Sequence, residues 1–232
     1  KGNIFLTLRP ELTASVVRAF NQHNLRNLSP TQRLYYIGPL FRRERPQKGR
    51  QRQFHQFGIE TFGSNLPEQD AEVIVLAWQI LSKLGLDKKI DLQLNSIGTD
   101  VCRSAYRKAL KNFLKPFLKE LSEVSRKRFK TNPLRILDTK IEKELSILKN
   151  APKINDYYTE EDKEHFAEVR TYLDALDIPY NINFRLVRGL DYYTKTVFEI
   201  TSSDLGSQDA LLGGGRYDSL VKHLGGKPTP GI

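Results

Sequence analysis

Gln51-Arg52-Gln53-Phe54-His55-Gln56-Phe57-Gly58-Ile59-Glu60-Thr61-Phe62 reads as a strand, and the run from Leu34 to Phe41 reads as its partner. Between them Arg42 to Arg50 is polar and basic and contains Pro46 and Gly49, so the two runs predict an antiparallel hairpin with a long loop. Side chains alternate along a strand, which places Phe54, Gln56, Gly58, Glu60 and Phe62 on one side. An aromatic ring, an amide and a carboxylate on one face, with Gly58 leaving room, suit a ligand platform; an exposed polar strand face is the plainer alternative. Gln56 and Glu60 are about 13 Å apart along such a strand, enough for a two-part ligand to span. His55 points to the other side and is assigned no catalytic or metal role.

The loop carries Arg42, Arg43, Arg45, Lys48, Arg50 and Arg52 against one acid, Glu44. Guanidinium forks match phosphate oxygens in bidentate fashion, so the loop suits a triphosphate; a solvated basic loop has the same composition. Outward from the hairpin, Ile4 to Leu8 reads as extended and Glu11 to His23 as a helix. Pro67 stands where a helix begins, and Ala71, Val73, Ile74, Leu76, Ala77, Ile80, Leu81 and Leu84 make it a mostly buried one, closed by Gly85. Ile90, Leu92 and Leu94 alternate with polar residues and predict a strand.

From Ser96 to Asp174 strand signals give way to charged helices. Tyr106, Leu110, Phe113, Leu114 and Phe117 form an apolar stripe that Pro116 kinks or restarts. Residues 103–130 hold ten lysines and arginines against Glu120 and Glu123, while acids dominate from Glu160 to Glu168. Strand language returns from Tyr192 to Ile200, followed by Gly213-Gly214-Gly215 and a helix from Tyr217 to Leu224. The glycine run fits neither the Walker A pattern nor the dinucleotide fingerprint; it reads as a turn, or as a close backbone approach to something flat. The chain is therefore read as α+β. Its β-rich unit (residues 1–95 and 175–232) is split by a helical basic insert (residues 96–174).

Of 232 residues, 28% are charged and 39% hydrophobic, which excludes a disordered chain. The net charge of +10 points to polyanions as partners. There is no apolar run of membrane length and nothing resembling a signal peptide, so no membrane association is expected. Cys102 stands alone, which rules out an internal disulfide or a multi-cysteine zinc site and makes a reduced, cytoplasmic compartment the expectation. The four histidines are scattered without metal-ligand spacing. Methionine is absent and Thr229-Pro230-Gly231-Ile232 reads as the lead into another strand, so a piece of a longer protein is expected.

Several segments in order resemble the histidyl-tRNA synthetases, a class II aminoacyl-tRNA synthetase family. They are Leu6 to Glu11, Tyr35 to Arg50, Arg52 to Gln56, Leu94-Asn95-Ser96 and Arg135-Ile136-Leu137-Asp138. The most specific are Leu186-Val187-Arg188-Gly189-Leu190-Asp191-Tyr192-Tyr193 and Gly213-Gly214-Gly215-Arg216-Tyr217-Asp218. The resemblance implies an antiparallel class II sheet flanked by helices and interrupted by a helical insertion domain. It implies a histidine–tRNA ligase that makes histidyl-adenylate from L-histidine and ATP and passes histidine to the 3′ end of tRNA(His). ATP would be a substrate and would bring Mg²⁺; no zinc and no protein metal ligand are implied, and the complete protein would be a homodimer.

By the same likeness Glu11, Thr13 and Gln56 hold the amino-acid end of histidine. Glu60 and Tyr193 hold the imidazole with Tyr217 nearby, and Tyr192 is counted among the histidine-binding residues. Arg42 grips the α-phosphate, Arg50 the γ-phosphate end, Glu44 the adenine amino group, and Phe54 stacks on adenine. Arg188 faces the α-phosphate and the carboxylate, so Arg188, Arg42 and Gln56 form the implied catalytic set. Lys108, Lys111, Lys115 and Lys119, spaced along one helix side, form a basic strip that the resemblance places over the tRNA acceptor stem; a solvated face is the alternative.

Three departures stand out. Leu12 occupies a position where the family pattern has glycine. The first class II motif is absent from the N-terminal side, and the third motif and an anticodon-binding domain are absent from the C-terminal side, so weak activity is expected of residues 1–232 alone. A histidine-sensing regulatory subunit of ATP phosphoribosyltransferase shares this fold; Arg42, Arg50, Arg188 and the basic insert argue against it.

Overall fold

The computed structural model describes residues 6–43, 50–205 and 209–232. Helix α1 (Thr13–Gln22) precedes strands β1 (Gln32–Phe41) and β2 (Gln53–Phe62). These pair antiparallel as the alternation predicts, with Tyr36 opposite Gly58 and Leu34 opposite Glu60. Helix α2 (Pro67–Lys83) starts on proline, whose missing N–H is not needed in a first turn, and stops before Gly85, at φ +76°. Strand β3 (Ile90–Ser96) follows.

Four helices then come in succession: α3 (Asp100–Leu114), α4 (Glu123–Thr131), α5 (Glu142–Leu148) and α6 (Glu160–Ala175). Pro116 cannot donate to the ladder, so α3 ends at Leu114 and passes into one 3₁₀ turn, Lys115–Phe117. Helix α6 opens with a capping box in which Thr159 and Asp162 each satisfy the other's backbone N–H. The chain returns through β4 (Asn181–Ile182), β5 (Thr194–Ser202), β6 (Ala210–Arg216) and the short α7 (Leu220–His223). Among the described residues no helix is long and apolar enough to cross a membrane.

The four-stranded sheet runs β4-β3-β5-β6, antiparallel except for the short parallel β3–β4 contact. The hairpin joins it through the last residues. Thr61 N–H donates to Ile232 O (2.6 Å), Ile232 N–H returns the bond to Thr61 O (3.0 Å), and Tyr217 N–H donates to Gly231 O (2.7 Å). The glycine run is the main departure from the expected elements. It is not a turn but part of β6, paired with β5 so that Phe198 faces Gly214 and Glu199 faces Gly213. A Cβ on Gly214 would come within 2.7 Å of the Phe198 ring, so the glycines keep the strand thin where side chains cross it.

Two apolar clusters hold these layers. One joins α2, α6, β3 and β5 through Ala71, Ile74, Leu92, Leu94, Val169, Leu173 and Ile200. The other joins α1, Phe62, Val197 and Tyr217 to the buried stripe Cys102, Tyr106, Leu110 and Leu114 of α3. A buried polar knot ties α2, α6 and β6: Arg216 Nη2 lies 2.6 Å from Asp70 Oδ1, and His165 Nε2 lies 2.7 Å from Asp70 Oδ2. Burial alone would raise the Asp70 carboxyl, but His165 and the Arg216 guanidinium outweigh it and hold it below the usual carboxylate range.

Candidate active site

A cavity of about 250 Å³ opens between the inner face of β2, the start of α1, the segment before β5 and the glycines of β6. Its lining includes Thr13, Phe54, Gln56, Gly58, Glu60, Tyr193 and Tyr217, so most of the residues expected at the histidine and adenine positions meet here. Tyr36, not singled out from the sequence, also lines it. A Cβ on Gly58 would overlap the Tyr36 ring, so the glycine admits the tyrosine across the ladder.

Glu60 is the one charged side chain sunk into this wall, at 4% exposure. Thr13 Oγ1 donates to its Oε1 at 2.6 Å, and the Tyr217 hydroxyl donates to its Oε2. Burial pushes the carboxyl up to about 7, against the pull of the Thr13 and Tyr217 hydrogen bonds, with Glu11 raising it further. Burial and then the neighbouring Glu60 raise the Tyr217 phenol well above its ordinary range, so Tyr217 remains a donor. Tyr192 packs its ring edge on Tyr217, with centroids 5.9 Å apart, and stacks obliquely on Tyr193 at 4.6 Å. An aromatic box with a carboxyl at its floor accepts a flat ring that carries an N–H.

Glu11 is half-buried at the mouth of α1, where its carboxylate accepts from Ala14 N–H at 3.2 Å. Leu12 sits at φ −120°, which any L-residue adopts, and its side chain is buried, so the replacement of glycine costs no backbone strain. At the far end of β2 the Arg42 guanidinium lies 5.0 Å from the Phe54 ring centroid, while its Nε donates to Pro10 O at 2.8 Å. Arg50 is half-exposed beside the foot of β2. Glu44 lies outside the described residues.

Arg188, expected at the reacting phosphate, is not among the residues that line this cavity; it touches Gly213, which is. Its Nη1 pairs with the Glu199 carboxylate, and its guanidinium covers Gly213, where a Cβ would overlap it. It also lines a second, smaller cleft with Arg103, Arg107, Arg135 and Tyr193. Lys108, Lys111, Lys115 and Lys119 are not brought to the cavity. Lys108, Lys115 and Lys119 are exposed on the insert, and Lys111 Nζ sits 5.9 Å from the Phe129 ring. Among the described residues no three His, Cys, Asp or Glu side chains converge to hold a metal ion.

Sequence reasoning missed Tyr36 and Glu199. Pairing the hairpin strands residue by residue would have placed Tyr36 opposite Gly58. Nothing local marks Glu199, because its partner Arg188 comes from a separate segment.

The family described as Histidyl-tRNA synthetase matches residues 2–232. The apo histidyl-tRNA synthetase of S. aureus is 39% identical, with a TM-score of 0.78 over all of this chain and 55% of that one. An ATP phosphoribosyltransferase regulatory subunit/histidyl-tRNA synthetase from Bacillus halodurans (23% identical, TM-score 0.64, 96% of this chain and 60% of that one) shares the fold. So does a histidyl-tRNA synthetase from Nostoc sp. PCC 7120 (21%, 0.62, 99% and 59%). The chain thus spans 55 to 60% of the length of these three solved chains.

Proposed function

Since the chain belongs to the histidyl-tRNA synthetase family, we propose that it carries the site where L-histidine is activated by ATP and then passed to the 3′ end of tRNA(His). One observation carries the reading: the Glu60 carboxyl, buried between Thr13 and Tyr217 at the floor of an aromatic cavity. An imidazole N–H directed at that carboxyl finds an acceptor, while an apolar ring leaves it unpaired in a buried site, and unpaired buried groups discriminate strongly. Gln56, Glu11 and Thr13 stand where an amino-acid backbone would lie, and Phe54 with Arg42 stands where an adenine and its phosphates would lie.

In activation, a carboxylate oxygen of histidine attacks the α-phosphorus of ATP, the bond to the bridging oxygen breaks, and pyrophosphate leaves. Arg188 and Arg42 supply fixed positive charge against the charge that builds on the α-phosphate. In transfer, the terminal ribose hydroxyl attacks the histidyl carbonyl and AMP departs. Mg²⁺ is taken to arrive on the ATP phosphates, where it withdraws charge, and we assign it no protein ligand. The homodimer and the cytoplasmic location belong to the same reading of the complete protein.

ATP–pyrophosphate exchange with each of the twenty amino acids tests this. Exchange is expected with histidine alone, and Glu60→Gln should raise the histidine KM by about 10- to 100-fold, the worth of one buried hydrogen bond to a charged group, while ATP KM stays within about threefold. Equal losses for both substrates would contradict the role of Glu60. Histidine binding without exchange would favour a histidine-sensing regulatory subunit instead.

A further inference from the structure

We infer that Glu199 is a positioning residue that sets the place of the Arg188 guanidinium, with Gly213 as the bare floor beneath it. The inference rests on the proposed role of Arg188 in activation. Three observations meet on this point. The Glu199 carboxylate pairs with Arg188 Nη1, both side chains being about three-quarters shielded from water. Glu199 and Gly213 face each other across the antiparallel β5–β6 ladder, so they occupy one spot on the sheet. The guanidinium lies where a Gly213 Cβ would stand, which makes the strand's glycine a condition of the contact.

The surroundings make the anchor necessary. Arg188 shares its cleft with Arg103, Arg107 and Arg135 against one acid, Asp191, which accepts from Asn132, so like charges outnumber unlike ones around a mobile guanidinium. Arg103 is itself tied down by the Tyr193 carbonyl and by Asp100, so it does not yield space. Arg188 Nε is buried and has no hydrogen-bond partner among the described residues, so Glu199 supplies the polar contact that fixes the group. A misplaced charge of this kind costs rate rather than ground-state binding, because the charge it answers develops only as the α-phosphate is attacked.

The experiment is a double-mutant cycle in the complete protein, read by histidine-dependent ATP–pyrophosphate exchange. Glu199→Gln should lower kcat by about 10- to 100-fold with histidine KM within about threefold. Glu199→Asp, which keeps the charge on a shorter arm, should recover part of the loss. In an Arg188→Ala background, adding Glu199→Gln should lower kcat by less than about twofold, because the group it positions is gone. Gly213→Ala keeps the carboxylate and crowds the guanidinium, so it should repeat the kcat loss, which tests the bare floor; if Glu199→Gln fails to fold, Glu199→Asp in the two Arg188 backgrounds decides the role of the carboxylate. Independent, multiplying losses in the double variant would overturn the inference, as would a Glu199→Gln kcat within threefold of the parent. A parent with no exchange at all would remove the reaction and this role together, whereas a parent that exchanges while the losses multiply would remove only the role of Glu199.

Discussion

Glu60 shows what one buried carboxyl does to a fold. Its value of about 7 lies above the ordinary 4.5, so the folded chain holds a proton that the unfolded chain releases. The stability this contributes is fully present below pH 4.5 and is lost as pH rises through about 7. Glu60→Gln should therefore flatten the stability profile between pH 5 and 7 in urea titrations; a profile as steep as the parent's would show that Glu60 does not titrate there. Much of this wall was legible beforehand. Two-residue alternation put Phe54, Gln56, Gly58, Glu60 and Phe62 on one face; the first four line the cavity together with His55, Phe57 and Ile59 between them, while Phe62 stacks on Phe20 in the core. Tyr36 was not legible, because its place follows from hairpin register rather than from its own neighbours.

At the scale of elements, the knot of Asp70, Arg216 and His165 binds α2, β6 and α6 where apolar packing alone would let them slide. Asp70→Asn would leave the buried Arg216 guanidinium with Asp218 and the Ser64 and Leu66 carbonyls, so the loss in denaturant unfolding at neutral pH should be about 3 kcal/mol, the lower end for breaking a buried pair. The Asp70 carboxyl is held low, so its contribution is present above the ordinary carboxylate range and lost as pH falls through its lowered folded value. The parent should thus lose this advantage over Asp70→Asn in acid, and a gap constant down to pH 2 would refute the linkage. Helix limits marked by Pro67, Gly85 and Pro116 were readable because proline and glycine act locally. The glycines of β6 misled because what they make room for, Phe198 and Arg188, is distant in sequence.

Over the whole molecule, ten lysines and arginines fall within residues 103–130 against Glu120 and Glu123. On α3, four-residue steps carry Arg103, Arg107 and Lys111 along one side; Arg103 and Arg107 line the Arg188 cleft, and Lys111 lies against Phe129. Replacing Lys108, Lys115 and Lys119 together by alanine should weaken tRNA binding with little sequence preference. It should also reduce the slope of log affinity against log salt by about one unit per lost phosphate contact. Fluorescence titration across a salt series measures both, and an unchanged slope would mean a solvated face. The basic insert and its helical spacing were legible in the sequence, but the meeting of Arg103 and Arg107 with Arg188 in one cleft was not, since those residues come from distant segments.

The floor of the cavity joins residues 157 positions apart, Glu60 to Tyr217. Closing a loop costs only about 0.6 kcal/mol more for each doubling of its length. Taking out residues 96–174 would roughly halve the separation and return about that much. A segment of this length therefore adds little to the closure cost, and α3 and α6 within it pack into the two apolar clusters. Its burden falls on time instead: the hairpin can form early from its own residues, but the carboxyl meets its tyrosine only when both halves of the sheet have found each other.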